Sequence, residues 1–191
     1  MRLSPIVRIF FAIDLPLSTK EELGSFIGML KRKSKSHAIR WSKPDNLHVT
    51  LQFLPEVKRE DLPTLIDRVR EEIKAANKLS FMLEALHLFP SPYRPRVIVF
   101  SITPQHDLAY LSQLIGQGIQ TLYPLEKRSF RAHLTLGRIK YTQGLDLHFL
   151  SECKVPAMLP IEVNETVLFQ SEPQPEGSKY IVLERIEFEG L

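Results

Sequence analysis

The sequence predicts an α+β protein made of two pseudo-symmetric β-α-β-α-β halves, whose antiparallel sheets flank a central cleft. Three observations lead there. A strand-like stretch occurs twice, a helical pattern follows each copy, and a His-x-Thr-Leu unit returns at the corresponding place in each half. Self-similarity at this scale points to a duplicated supersecondary unit that buries its apolar faces jointly.

The first element of each half is the clearest. "RIFFAIDLP" (8–16) and "RVIVFSITP" (96–104) both open on Arg, run apolar and rich in β-formers, and close on Pro. Each reads as a buried strand that ends at its proline, which cannot donate to a sheet ladder. A helix follows in each half. Leu23, Phe26, Ile27 and Leu30 fall at i, i+3, i+4 and i+7, and Ser18 with Glu21 has the spacing of a capping box. In the second half Leu108, Leu111, Ile115, Ile119 and Leu122 form the corresponding stripe. Next come the strand-like runs "LHVTLQFL" and "AHLTLGRI", with His48 forty residues after Arg8 and His133 thirty-seven after Arg96.

A second helix is expected from Leu62, Leu65, Ile66, Val69 and Ile73, whereas its counterpart near 145–150 is short. "LSFMLEALHLF" (79–89) and "LPIEVNETVLF" (159–169) read as closing strands, and "YIVLERIEF" (180–188) as an extra one. The polar "SEPQPEGSK" (171–179) reads as a loop, either a connector or a lid. Residues 1–191 thus form one bilobal unit. Pseudo-repeat one covers about 8–90, pseudo-repeat two about 96–170, and the extra strand about 179–188, with the turn-rich "PSPYRP" (90–95) between the repeats.

The composition is that of a globular chain, 43% hydrophobic and 25% charged. Cys153 is the lone cysteine, so no intramolecular disulfide can form and a reduced, cytoplasmic setting is expected. No run of about 18 apolar residues exists, so no membrane-spanning helix is expected; "IVRIFFAID" (6–14) holds an Arg and is too short for a signal h-region followed by a cleavage site, so no signal segment is expected either, and a monomer is anticipated. The net charge of +3 permits a phosphate-bearing partner without requiring one. The basic run "KRKSKS" (31–36) reads first as a solvated face. Phosphate-binding loops of the G-x-x-x-x-G-K-[ST] kind, G-x-G-x-x-G and H-E-x-x-H are all missing, which argues against nucleoside-triphosphate, dinucleotide and zinc-protease chemistry.

The repeated unit carries the chemistry. In a strand, His48 and Thr50 share one face while Val49 and Leu51 take the other, and the same split holds for His133 and Thr135. Symmetric halves would bring two imidazoles and two hydroxyls together. With a pKa near 6.5, one imidazole can accept a proton while the other donates one. Threonine hydroxyls can donate to phosphoryl oxygens. That set suits attack of water on a phosphodiester, and a strained cyclic phosphate needs no metal. Arg138, five positions after His133, falls on the wrong face of a straight strand, but a bulge at Gly137 would re-aim it toward a phosphate. The alternative for Arg138 is a surface ion pair, the role also expected of Arg94 and Arg96. Trp41 either packs beneath the cleft or stacks on a base. Phe11 is expected in the core, and His106 and His148 on helical surface.

"RWSKPDNLHVTLQFL" (40–54) and "RAHLTLGRI" (131–139) resemble the two signatures of the 2H phosphoesterase superfamily, and in particular its RNA 2′,3′-cyclic phosphodiesterase branch, the LigT-like or 2′-5′ RNA ligase family. The likeness runs from "RIFFAIDLP" to the final strand. It implies the bilobal 2H fold with both motifs facing a central cleft. It also implies hydrolysis of an RNA-terminal 2′,3′-cyclic phosphate to a 2′-phosphomonoester. His48 would be the proton donor to the departing 3′ oxygen, His133 the proton acceptor that activates water, and Thr50 and Thr135 would hold the phosphate. RNA or a nucleotide with such an end would be the partner, without metal or organic cofactor. Ligation of RNA halves and non-catalytic binding of RNA ends are the competing readings.

Overall fold

The computed structural model describes residues 4–126 and 129–190. Nine strands, three helices and three short 3₁₀ turns alternate along them. In chain order they are β1 (Ile6–Asp14), α1 (Leu17–Ser34), β2 (Ile39–Trp41), β3 (His48–Lys58), α2 (Leu62–Ile73), β4 (Leu79–Phe89), β5 (Val97–Thr103), α3 (His106–Gln120), β6 (His133–Ile139), β7 (Ile161–Val163), β8 (Glu165–Gln174) and β9 (Gly177–Glu187).

The strands form one curled antiparallel path, β7-β4-β5-β6-β3-β1-β8-β9, with β2 paired to β6. It has two wings that meet where β3 touches β6, through the single residue pair Val49↔Leu134. Each wing exchanges a strand with the other half of the sequence. β4, which closes the first repeat, pairs with β5, while β8, from the second, pairs with β1. The two halves of the sequence therefore cannot separate without breaking the β4–β5 and β1–β8 ladders.

Alternation explains the core. Ile9, Phe11 and Ile13 of β1 are at most 2% exposed, in one core with Leu23 and Leu30 of α1 and Phe100 and Ile102 of β5. Burying such side chains contributes about 1.5–3 kcal/mol each. α2 presents Leu65, Val69 and Ile73 and α3 presents Leu108, Leu111, Ile115 and Ile119. These two helices approach so closely that a Cβ on Gly118 would lie 2.8 Å from the Val69 Cα, so only glycine fits there.

Several sequence expectations change. The Ser18–Glu21 capping box does not form, because α1 already begins at Leu17 behind Pro16, and the Pro16 carbonyl takes the Lys20 N–H at 3.0 Å. Leu122 lies beyond the end of α3 and is 41% exposed. The counterpart of α2 is one 3₁₀ turn, His148–Leu150. The expected strand 159–169 divides at Asn164, since β7 pairs with β4 and β8 with β1. Finally, 171–179 is not a loop. β8 and β9 continue through it to a tight hairpin, with Gln174 paired to Gly177 and Gly177 at φ 130°, a conformation that favours glycine.

Candidate active site

The two His-x-Thr-Leu units open β3 and β6 on either side of the seam. In each, the second and fourth residues go inward. Val49, Leu51, Leu134 and Leu136 are at most 3% exposed, which turns His48, Thr50, His133 and Thr135 to the opposite face. All four line one cavity of about 760 Å³.

Both imidazoles are fixed in the same way. The His48 Nδ1 lies 2.7 Å from the Asn46 carbonyl, and the His133 Nδ1 lies 2.8 Å from the Arg131 carbonyl. A carbonyl can only accept, so each Nδ1 carries the proton and Nε2 is the nitrogen left for chemistry. Each supporting backbone is itself anchored. The Asn46 amide donates to the Ser178 carbonyl on β9 at 2.8 Å. Gln105 holds Ala132, the residue before His133, from both sides: its amide donates to the Ala132 carbonyl at 3.0 Å and its oxygen accepts the Ala132 N–H at 2.8 Å. Ser42 ties β2 to the second motif through the Thr135 carbonyl (2.9 Å) and the Leu136 carbonyl (2.8 Å).

The surroundings of the two rings differ. His48 sits against Phe10 at 4.7 Å between centroids and edge-on to Tyr180 at 5.2 Å, with its Nε2 3.0 Å from the Thr50 hydroxyl. Enclosure lowers its pKa from 6.5 to about 4, because burial disfavours the imidazolium more than the Asn46 carbonyl and the Asp14 carboxylate favour it. The neutral ring therefore accepts from the Thr50 O–H. Asp14 lies directly across from His48 but is bound by Lys20 at 2.6 Å and Arg185 at 3.2 Å. His133 instead stacks on Phe89 at 5.2 Å and faces Ser101.

Arg138 also lines the cavity and has no ion pair among the described residues. The bulge that re-aims it is real, and its extra residue is Leu136: Val99 pairs with Thr135 and Ile98 with Gly137, so parity flips between the threonine and the arginine. β3 carries the matching bulge at Leu51. Gly137 has its own reason to be glycine. A Cβ there would come within 3.0 Å of Ile39 and 3.1 Å of the Trp41 ring. Trp41 accordingly packs over Gly137 and borders the cavity, with its indole N–H buried and without a partner.

Sequence reasoning missed most of the positive charge. Arg8, Arg40, Lys43 and Arg96 line the cavity with Arg138, against one acid among the described residues, Glu176. None of these five cations has an ion-pair partner among the described residues, although Lys20, Arg70 and Arg185 elsewhere do. This corrects the ion-pair role expected of Arg96. The signal was present, since an arginine opens each repeat at 8 and 96. Phe53 was missed as well. It is 46% exposed on the cavity wall, with the Arg8 guanidinium 5.6 Å from its ring centre. Among the described residues, no group of three or more His, Cys, Asp or Glu is arranged to hold a metal, and no helix is long and apolar enough to cross a membrane.

A cleft of this kind has known relatives. The chain is 30% identical over 174 residues to an Archaeoglobus fulgidus protein named RNA 2′,3′-cyclic phosphodiesterase, covering 91% of this chain and 96% of that one. The chain belongs to the LigT-like phosphoesterase family. The family model described as LigT like Phosphoesterase matches residues 13–99, which include the first motif. A Methanothermobacter thermautotrophicus protein of the same name is 24% identical over 180 residues, covering 93% of this chain and 97% of that one. Among solved structures, a Thermus thermophilus protein superposes with a TM-score of 0.75 at 24% identity, covering 96% of this chain and 98% of its own. Escherichia coli LigT, crystallised with 3′-AMP, does so with a TM-score of 0.71 at 24% identity, covering the same shares. These LigT-like structures bear out the 2H phosphoesterase fold expected from the sequence.

Proposed function

We propose that this phosphoesterase hydrolyses RNA-terminal 2′,3′-cyclic phosphates to 2′-phosphomonoesters by paired-histidine general acid-base catalysis, without a metal. The observation that carries the reading is the pair of Nε2 atoms, on two rings locked alike by backbone carbonyls, bordering one cation-rich cavity. The names of the relatives agree with it.

The cyclic phosphate sits between the rings, with Arg138, Thr50 and Thr135 donating to its non-bridging oxygens. Nε2 of His133 takes a proton from water as the water oxygen bonds to phosphorus. The P–O3′ bond breaks, and the departing oxygen receives the Nε2 proton of His48, leaving a 3′ hydroxyl and a 2′ phosphate. His48 must then be charged in the complex, and the anion beside it favours that form. The lowered pKa that burial gives His48 supports a second reading, in which His48 accepts and His133 donates.

The test is product analysis on RNA ending in a 2′,3′-cyclic phosphate, in excess EDTA. A 2′-phosphate product is expected. Loss of turnover in EDTA with recovery on adding zinc would overturn the metal-free mechanism, and tight binding without product would favour a binding module. A diester with a p-nitrophenolate leaving group assigns the roles, because replacing the proton donor should then cost far less than replacing the acceptor.

A further inference from the structure

A second hollow, of about 610 Å³, adjoins the first and shares Arg40, Arg96, Val97 and Arg138 with it. Its remaining wall is Pro95, Ile139, Lys140, Tyr141 and Thr142, with no acidic residue. We propose that this hollow is a subsite for the nucleotides upstream of the cyclic end, so that the enzyme prefers an oligoribonucleotide to a free nucleotide. The inference rests on the cyclic-phosphodiesterase reading above.

Charge gives the direction. A phosphate held between His48 and His133 belongs to the terminal nucleotide, and the rest of the RNA must leave the cavity somewhere. Glu176, the one acid on the cavity wall among the described residues, stands on the β8–β9 hairpin, on the wing that carries β1 and β3. Arg138, Arg96 and Lys140 stand on the opposite wing, along β5 and β6, beside Arg40. None of these four cations has an ion-pair partner among the described residues, so they remain available to the next phosphates of a chain. The chain is thereby drawn toward Lys140 and away from Glu176.

The backbone holds this surface firmly. Arg40 pairs with Arg138, the Ile139 N–H donates to the Arg96 carbonyl at 2.8 Å, and the Lys140 N–H donates to the Ala38 carbonyl at 2.7 Å. Tyr141 follows at once, 54% exposed and on the hollow's wall. An exposed aromatic ring beside unpaired cations is the combination that binds single-stranded nucleic acid, by stacking any base while cations follow the phosphates.

The experiment compares kcat/KM for a nucleoside 2′,3′-cyclic monophosphate with that for a tetraribonucleotide carrying the same end, in wild type, Lys140→Ala and Tyr141→Ala. The wild type should favour the tetranucleotide by about tenfold or more. Each variant should cut that ratio by about fivefold to tenfold, and Lys140→Ala should also lower the salt dependence of tetranucleotide binding by about one counterion. Equal kcat/KM for the two substrates in the wild type would overturn the subsite and leave the cyclic-phosphodiesterase reading intact, as would a ratio that neither variant moves. Anisotropy of a 5′-fluorescein tetraribonucleotide with a 2′-phosphate end reports on the subsite without turnover. Binding that weakens in both variants supports the subsite even if hydrolysis is never observed, and binding indifferent to both overturns it.

Discussion

The two copies of His-x-Thr-Leu share strand, bulge and ring anchoring, and differ in nearly everything the rings touch. His48 is packed among Phe10, Phe169 and Tyr180 and has a carboxylate across the ladder, while His133 lies flat on Phe89 with a serine across from it. Five residues on, the first half places Phe53 and the second Arg138. Counting from the bulges, Gln52 holds the position that Gly137 holds in the other half. Duplication thus supplies two imidazoles of one geometry, and their neighbours make them chemically unequal. That inequality suits an acid-base pair, in which one ring must be neutral while the other is charged.

The comparison breaks most sharply if the rings are interchangeable. His48→Ala and His133→Ala should each lower kcat by roughly 10²–10⁴, and the double variant should be little worse than either, because each proton transfer is useless without the other. A single variant that keeps wild-type kcat would sink the paired mechanism. The next effect lies at Arg138. Removing a charge-assisted hydrogen bond to phosphate costs about 1.5–3 kcal/mol, so Arg138→Ala should lose about 10- to 100-fold in kcat/KM. Phe53→Ala, at the matching place, should lose less than about tenfold. Similar losses at both would mean that the two wings hold the substrate alike.

Titration sharpens the contrast at the rings. In the free protein, NMR should show the His48 imidazole neutral until the pH approaches about 4. A nucleoside 2′-phosphate should move that midpoint upward, because the anion favours the imidazolium. The unfolded ring titrates near 6.5, so unfolding takes up a proton between that pH and about 4, and this contribution to stability is lost as pH falls through the window. His48→Gln should flatten the pH dependence of the melting temperature there. The smallest effect is at the glycine. Gly137→Ala pushes against Ile39 and Trp41 and should cost about 1–2 kcal/mol by denaturant melting. In the first half, Gln52 fills the matching position and donates to the Ser112 carbonyl at 3.0 Å.

Local pattern carried much of this. The strands at 8–16 and 96–104, the apolar stripes of α1, α2 and α3, and the inward Val/Leu of both motifs follow from periodicity, because each depends on residues within a few positions of one another. The four-residue His/Thr set was legible for the same reason. Arg96 was misread because an isolated arginine says nothing of its distant neighbours. Whether it meets a carboxylate or an open cleft depends on β6, about forty residues later.

The amino-acid sequence alone determined that there are two equivalent strands, each with a polar His/Thr face and an apolar back, since side-chain alternation is a property of the backbone itself. Tertiary structure decided the rest. It joined the wings at Val49↔Leu134, exchanged β4 and β8 between them, enclosed His48 and gathered Arg8, Arg40, Lys43, Arg96 and Arg138 around one space. Those outcomes depend on pairings between residues many tens of positions apart. Desolvation and field strength arise from what surrounds a group in space, and no local pattern encodes that.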